Sequence, residues 1–124
     1  MTKQQLASSL VHPVFGNYSS AILKGNTLYL AGFGPFDVNQ QLVGENITDQ
    51  THQTMQNIRN LLEDNGFTMD DLVRSTVYLS DISHWAQFNE VYGQYVTEPY
   101  PARTVVACQL NGFLVEVECT AVRD

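Results

Sequence analysis

The sequence predicts one α+β domain covering residues 1–124, with two helices packed on one face of a β-sheet. The predicted elements follow the order two strands, helix, strand, helix, two strands. Hydrophobic residues make up 44% of the chain, which is enough to build one continuous core. The sheet face away from the helices needs a cover, and we expect copies of the chain to pack against one another there.

The first two strands are predicted at residues 20–23 and 28–32. Both are apolar runs, and Gly25-Asn26 between them is typical of a tight turn. They are therefore predicted to form a β-hairpin. Residues 72–79 are rich in β-branched and aromatic side chains and predict a third, largely buried strand.

Two amphipathic helices separate the strands. The first is predicted to start at a cap formed by Thr48 or Asp49 and to stop at Gly66. The second is predicted to start at a cap formed by Ser83 and to be ended by Pro99 and Pro101. Their apolar faces consist of Met55, Ile58, Leu61 and Leu62 in the first helix and of Trp85, Phe88, Val91, Tyr92 and Tyr95 in the second.

The last two strands, residues 104–110 and 113–122, are predicted to pair as a hairpin. Asn111-Gly112 between them is the dipeptide best suited to a two-residue type I′ turn. In that register Cys108 and Cys119 lie roughly 13 Å out of step along the strands. No disulfide between them is expected.

The charge balance excludes two classes of partner. Six basic against thirteen acidic residues give a formal charge of -7, which repels nucleic acid. No basic amphipathic stretch offers an anionic membrane a contact. The polar N-terminal segment lacks signal-peptide character, so we expect a cytoplasmic location.

The known sequence signatures of several enzyme classes are missing. The sequence contains no Walker loop, GxGxxG, GxSxG or HExxH motif. Its three histidines and two cysteines have no metal-ligand spacing. We therefore expect no metal ion.

Three charged residues near the C-terminus could carry chemistry. Glu116 and Glu118 alternate with apolar residues, so their carboxylates project from one strand face about 6.6 Å apart. This spacing suits a two-carboxylate mechanism and equally suits a polar sheet face. Arg103 lies on the same face in the predicted hairpin. Arginine holds a carboxylate through two parallel hydrogen bonds, so Arg103 either anchors a carboxylate substrate or forms an ion pair with Glu118.

Several fragments, taken together, point to one known family. They are YSSA at 18–21, AG at 31–32, Asn57, LL at 61–62, TVYLSD at 76–81, FNEVY at 88–92, PAR at 101–103 and VEVE at 115–118. In this combination the chain resembles the reactive intermediate deaminase family, also called Rid or YjgF-like. The resemblance covers nearly the whole chain.

The resemblance implies a chorismate-mutase-like mixed sheet and a homotrimer with a central β-barrel, outer helices and ligand clefts between subunits. It implies a hydrolase similar to 2-iminobutanoate/2-iminopropanoate deaminases, which converts reactive 2-imino or 2-enamino acids to 2-keto acids and ammonia. No cofactor or metal is implied. The alternative is a non-catalytic trimer that binds small carboxylates as a sensor, or that binds a partner protein.

The resemblance also assigns roles by position. Arg103 would clamp the substrate carboxylate, and Glu116 would orient or activate the attacking water. The residues that would line the cleft are Tyr18, Ala31, Gly32 and Asn89, together with the backbone N–H of Val105.

The sequence departs from the family pattern at three places. Ala31-Gly32-Phe33 stands where the family usually has Ser-Gly-Gln, so a hydroxyl and an amide that can meet ligand are missing. We expect this change to affect the range of substrates. The Asn111-Gly112 turn is shorter than in typical members, and Val105 stands where well-studied bacterial members have cysteine.

Overall fold

The computed structural model describes residues 2–124. These residues form six strands and two α-helices, with short 3₁₀ turns at Met69–Asp71 and Ile82–His84. The elements are β1 (Gln4–Leu6), β2 (Ala21–Lys24), β3 (Thr27–Leu30), α1 (Ile47–Asp64), β4 (Leu72–Leu79), α2 (Trp85–Tyr92), β5 (Ala102–Ala107) and β6 (Val115–Val122). Within this range, no helix is both long enough and apolar enough to cross a membrane.

The strands form one mixed sheet in the order β1-β2-β3-β6-β4-β5. β4 and β5 are parallel, and the other neighbours are antiparallel. Both helices pack on one sheet face, as predicted, and the core between the layers includes Met55, Ile58, Leu61, Phe88, Val77, Val115 and Val117. The α+β class and the β2–β3 hairpin are confirmed, whereas β1 was not predicted.

The first helix begins earlier than predicted. Asn46 is its N-cap, because the Asn46 Oδ1 accepts a hydrogen bond from the backbone N–H of Asp49 at 2.8 Å. Thr48 and Asp49 therefore lie inside the first turn. The negative charge of the Asp49 carboxylate interacts favourably there with the positive end of the helix dipole. Gly66 follows the helix with a φ of 81°, so the predicted stop is confirmed.

The cap predicted for the second helix is also wrong. The capping residue is Asp81, whose carboxylate accepts a hydrogen bond from the backbone N–H of Ser83 at 2.8 Å. A 3₁₀ turn then leads into α2. The helix ends at Tyr92, well before Pro99, so Tyr95 lies beyond it. Its buried residues are Phe88, Val91 and Tyr92, whereas Trp85 is exposed.

The predicted hairpin between the last two strands does not form. β5 pairs in parallel with β4, and β6 pairs with β4 from the other side, so β4 separates them. Helix α2 provides the long crossover that a parallel pair requires. Asn111 and Gly112 instead make a turn within the connection, where Gly112 has a φ of 88° and its N–H donates to Leu110 O.

Both cysteines are free, as expected, but in a different register from the predicted one. Cys119 lies opposite Ser75 on β4, with the Ser75 Oγ 3.5 Å from its sulfur. Burial raises the pKa of Cys119 to about 12. The thiol is therefore protonated and unreactive at neutral pH.

Within residues 2–124 of one chain, no helix or strand covers the sheet face away from the helices. Side chains that point to it include Tyr29, Thr76, Tyr78, Val106, Glu118 and Val122. This face therefore carries threonine, tyrosine and glutamate side chains beside valine.

Asn57 fixes the loop that follows β3. Its side chain is buried on α1 and donates to the carbonyl oxygens of Gly34 at 3.0 Å and Phe36 at 2.9 Å. Its Oδ1 accepts a hydrogen bond from Gln53 at 2.9 Å. One buried amide therefore ties two carbonyl groups of this loop to α1.

We predict that Asn57→Ala lowers the free energy of unfolding by about 2 to 4 kcal/mol, because the carbonyl groups of Gly34 and Phe36 each lose one hydrogen bond and the Gln53 amide loses its acceptor. Urea denaturation measures this loss. Asn39→Ala, on an exposed loop, is the control and should change stability by less than about 0.5 kcal/mol. Equal effects of the two substitutions would contradict the role given to Asn57.

Candidate active site

A cleft of about 380 Å³ lies beside the loop after β3. We call it the glutamate cleft. Its lining residues are His12, Phe15, Tyr18, Gly32, Gly34, Phe36, Asn111, Phe113 and Glu116. Three residues assigned from the sequence, Tyr18, Gly32 and Glu116, are therefore brought together.

The Glu116 carboxylate is half-buried and packs against the backbone of Gly32. A Cβ atom on residue 32 would lie 2.5 Å from the Glu116 Oε2, so the absence of a side chain there permits the contact. Burial raises the pKa of Glu116, and the negative charge of Glu118 raises it further. A carboxylate with a raised pKa is a stronger base and suits proton abstraction from water.

Tyr18 presents a hydroxyl group to the same cleft. Its oxygen accepts a hydrogen bond from the Phe15 N–H at 3.1 Å. The hydroxyl proton is then left to donate to a ligand.

A second cleft, of about 400 Å³, surrounds Arg103. We call it the arginine cleft, and its lining residues are Asn89, Tyr92, Gly93, Val96, Tyr100, Pro101 and Arg103. The Arg103 Nη1 donates to the Asn89 Oδ1 at 2.9 Å, and the guanidinium carbon lies 4.8 Å from the centroid of the Tyr92 ring. The guanidinium group is thus oriented by a neutral amide and an aromatic face, and its other donors can bind an anion.

Arg103 does not share a face with the two glutamates, contrary to the sequence prediction. It lies level with Ser75 and Cys119, whose buried side chains face the helices. Glu116 and Glu118 project from the opposite face, where the two carboxylates are together as predicted. The cause is the parallel pairing of β5 with β4.

The predicted Arg103–Glu118 ion pair is therefore wrong. Glu118 accepts a hydrogen bond from the Tyr78 hydroxyl at 2.7 Å instead. This hydrogen bond, together with burial and the nearby carboxylates, raises the pKa of Tyr78 to about 12.

The backbone N–H of Val105 points away from the sheet. β5 is an edge strand, and the Cys108 N–H donates to Leu79 O of β4. Alternate residues of a strand point their N–H groups to opposite sides. The N–H of Val106 therefore faces β4, and the N–H of Val105 faces the open edge of the sheet. Ala31 is half-buried and its N–H donates to Ser20 O, but it is not among the residues lining the glutamate cleft.

The sequence-based reasoning missed the aromatic side chains of both clefts. His12, Phe15, Phe36 and Phe113 lie in irregular segments, which have no periodicity to mark them. Tyr92 was assigned to the apolar face of α2, and it also flanks Arg103. For residues 2–124, no group of three His, Cys, Asp or Glu side chains could hold a metal ion.

Comparison with known proteins identifies the family. The family model described as Endoribonuclease L-PSP matches residues 10–123. A RutC family protein of Pyrococcus horikoshii is 39% identical over 112 residues, covering 88% of this chain and 89% of that protein. Reactive Intermediate Deaminase A of Arabidopsis thaliana, chloroplastic, is 32% identical, covering 96% of this chain and 65% of that protein.

A solved structure agrees with the sequence matches. RidA from an Antarctic Psychrobacter superposes with a TM-score of 0.90 at 34% identity, covering 97% of this chain and 99% of that one. The fold and the two clefts define a small α+β domain whose polar side chains gather at two separate surface sites. The chain belongs to the Endoribonuclease L-PSP family, the YjgF/RidA or Rid-like family, as the sequence fragments predicted.

We predict that Glu116→Gln raises the melting temperature at neutral pH. The folded state holds the Glu116 proton more tightly than the unfolded state does, because burial and the charge of Glu118 raise its pKa above the usual value of 4.5. Stability therefore falls as the pH rises from that value through the raised pKa, and the loss persists at higher pH.

Thermal melts between pH 4 and 8 measure this difference. The Glu116→Gln variant should lose the fall in stability that accompanies ionisation of Glu116. Glu63→Gln, which removes an exposed carboxylate from α1, is the control and should leave the profile nearly unchanged. A Glu116→Gln protein that is less stable than wild type at pH 7 would contradict the prediction.

Proposed function

We propose that the protein is a homotrimer in which the glutamate cleft of one copy meets the arginine cleft of its neighbour. The composite site hydrolyses reactive 2-imino or 2-enamino acids to 2-keto acids and ammonia. The observation that carries this proposal is the complementary content of the two clefts. No lysine or arginine lines the glutamate cleft, and no aspartate or glutamate lines the arginine cleft.

The chemistry requires three contributions from the protein. Arg103 binds the substrate carboxylate through its planar fork, and the outward N–H of Val105 lies on the same strand to bind the same ligand. Glu116 takes a proton from water, which attacks the imine carbon. Protonated Glu116 then returns its proton to the nitrogen of the tetrahedral adduct. The adduct's hydroxyl proton also passes to the nitrogen as the C–N bond breaks and the C=O bond forms, so that R–C(=NH)–COO⁻ and water give R–CO–COO⁻ and NH₃.

An imine carbon is already electrophilic, so this reaction needs positioning more than activation. A fixed anion anchor and an oriented water supply that positioning. Tyr18 supports it with a hydroxyl proton that can reach the bound ligand.

The second candidate is a non-catalytic trimer that binds small carboxylates. Ala31 favours it, because a methyl group stands where the family usually has a hydroxyl. Phe33 gives no support to this candidate, because its side chain is 1% exposed and packs in the core rather than in the cleft. Endoribonuclease activity, after which the family model is described, is disfavoured by the formal charge of -7.

A coupled assay separates the two candidates. An amino-acid oxidase generates the imino acid, and keto-acid release is followed with and without this protein. The proposed enzyme accelerates release at substoichiometric amounts. A binding protein leaves the rate unchanged or slows it.

We predict that Arg103→Ala lowers kcat/KM in this assay at least about tenfold, because a charge-assisted two-pronged contact worth roughly 1.5 to 3 kcal/mol is lost. Arg103→Lys keeps the positive charge but loses the planar pair of N–H donors, so its activity should remain clearly impaired. The control is Arg59→Ala, which removes an α1 arginine that contacts Tyr95 outside both clefts. A fully active Arg103→Ala protein would remove Arg103 from the mechanism.

We also predict a solution mass of about three times the 13.9 kDa of one chain, because the family resemblance implies a trimer and each proposed site lies between two neighbouring copies. Light scattering at micromolar concentration measures it. A monomer that retains full deaminase activity would contradict a site shared between copies.

A further inference from the structure

Three phenylalanine rings form one side of the glutamate cleft. Phe15, Phe36 and Phe113 all line it. The Phe15 and Phe36 ring centroids are 5.0 Å apart, and those of Phe36 and Phe113 are 5.2 Å apart, both in edge-on geometry. Such contacts are the preferred arrangement of aromatic pairs. We call these three residues the phenylalanine wall.

The buried ring of His12 contacts two rings of the phenylalanine wall. His12 is buried, and its ring lies 5.0 Å from that of Phe15 and 5.9 Å from that of Phe36. Its Nδ1 donates to the carbonyl oxygen of Pro13 at 2.9 Å, which fixes the ring. The wall is therefore a preformed surface rather than a set of loose side chains.

Gly34 makes room for the phenylalanine wall. A Cβ atom there would lie 2.9 Å from the Phe36 ring and 3.4 Å from the Phe113 ring. Asn57 holds the carbonyl groups of Gly34 and Phe36 from the other side. Backbone and side chains thus combine to keep two rings at the cleft.

The hydrolysis itself does not require this apolar surface. Anion binding and water activation fall to Arg103 and Glu116, whereas Phe15 leaves 52% of its surface exposed. Apolar surface exposed inside a cleft with a few polar groups is typical of a small-molecule site. A cleft of about 380 Å³ is also within the usual size range of such sites and much larger than a three-carbon imine.

We propose that the phenylalanine wall binds the side chain of the substrate, so that the preferred substrates are imines derived from aromatic amino acids. This inference rests on the proposed deaminase function. With its C2 atom near Glu116, the substrate directs its side chain along the remaining length of the cleft. A benzyl group there packs edge-on against Phe36 and Phe113, whereas a methyl group leaves both rings uncovered.

The test compares two substrates on the same protein. An L-amino-acid oxidase generates the imines of phenylalanine and alanine, and kcat/KM is measured for each. The wild-type ratio of phenylalanine imine to alanine imine is expected to be about tenfold or more, since pocket contacts of this size discriminate by such factors. Phe113→Ala and Phe15→Ala should each lower that ratio about threefold to tenfold.

Leu10→Ala is the matched control. Leu10 is 52% exposed, as Phe15 is, but does not line the cleft, so its variant should keep the wild-type ratio. Phe113→Leu keeps an apolar side chain without a ring and should give an intermediate ratio. Thermal melts and light scattering show whether each variant remains folded and assembled.

Binding of the products gives a readout that does not depend on catalysis. Calorimetry should find that phenylpyruvate binds at least about tenfold more tightly than pyruvate. If phenylpyruvate is preferred but no imine is hydrolysed, the proposed function is wrong and the cleft's aromatic preference stands. If imines are hydrolysed with equal or greater preference for alanine, the aromatic preference alone is overturned. Loss of assembly in Phe15→Ala and Phe113→Ala without a change of ratio also overturns it, because the rings would then serve the contact between copies.

Discussion

The directions of the Glu116 and Arg103 side chains both depend on the insertion of β6 between β3 and β4. The buried residues Val115 and Val117 must face the helices, so the intervening Glu116 faces away from them. With both sides of β4 occupied, β5 becomes an edge strand, and Arg103 points to the helix side beside α2. One choice of strand pairing therefore separates the arginine from the glutamate.

This separation matters for the protonation of the site. An arginine beside Glu116 would lower the pKa of that carboxylate and weaken it as a base. Burial and the like charge of Glu118 raise the pKa instead. Arg103 meanwhile is bound by a neutral amide, so its charge remains available to a substrate anion. In a site made from two copies, the neighbour's Arg103 would face Glu116, and the bound substrate carboxylate would neutralise the charge of that arginine, so that Glu116 would keep its raised pKa.

The turn residues and the periodicity of the local sequence predicted several elements correctly, whereas both helix caps were assigned to the wrong residues and the pairing of distant strands was not predictable. The β2–β3 hairpin, β4 and the apolar face of α1 follow from turn residues and periodicity. The Asn111-Gly112 signal failed because burial of β6 against β4 outweighs the preference of two turn residues. The family resemblance still assigned roles to Arg103 and Glu116, since a motif does not depend on strand register, and each of the two residues lines a cleft. The phenylalanine wall lies in irregular segments, where no sequence pattern distinguishes a cleft residue from a core residue.

The central claim, that each site combines Arg103 of one copy with Glu116 of another, is tested most directly by mixing two inactive variants. Arg103→Ala and Glu116→Gln proteins are dissociated together in mild denaturant and reassembled, and deaminase activity is measured before and after. If the site is shared, equal mixing pairs an intact Arg103 with an intact Glu116 at about a quarter of the sites. Activity should then recover to about that fraction of wild type. Reassembled mixed trimers that remain as inactive as the separate variants would contradict the account, because they would place both residues in a site within one subunit.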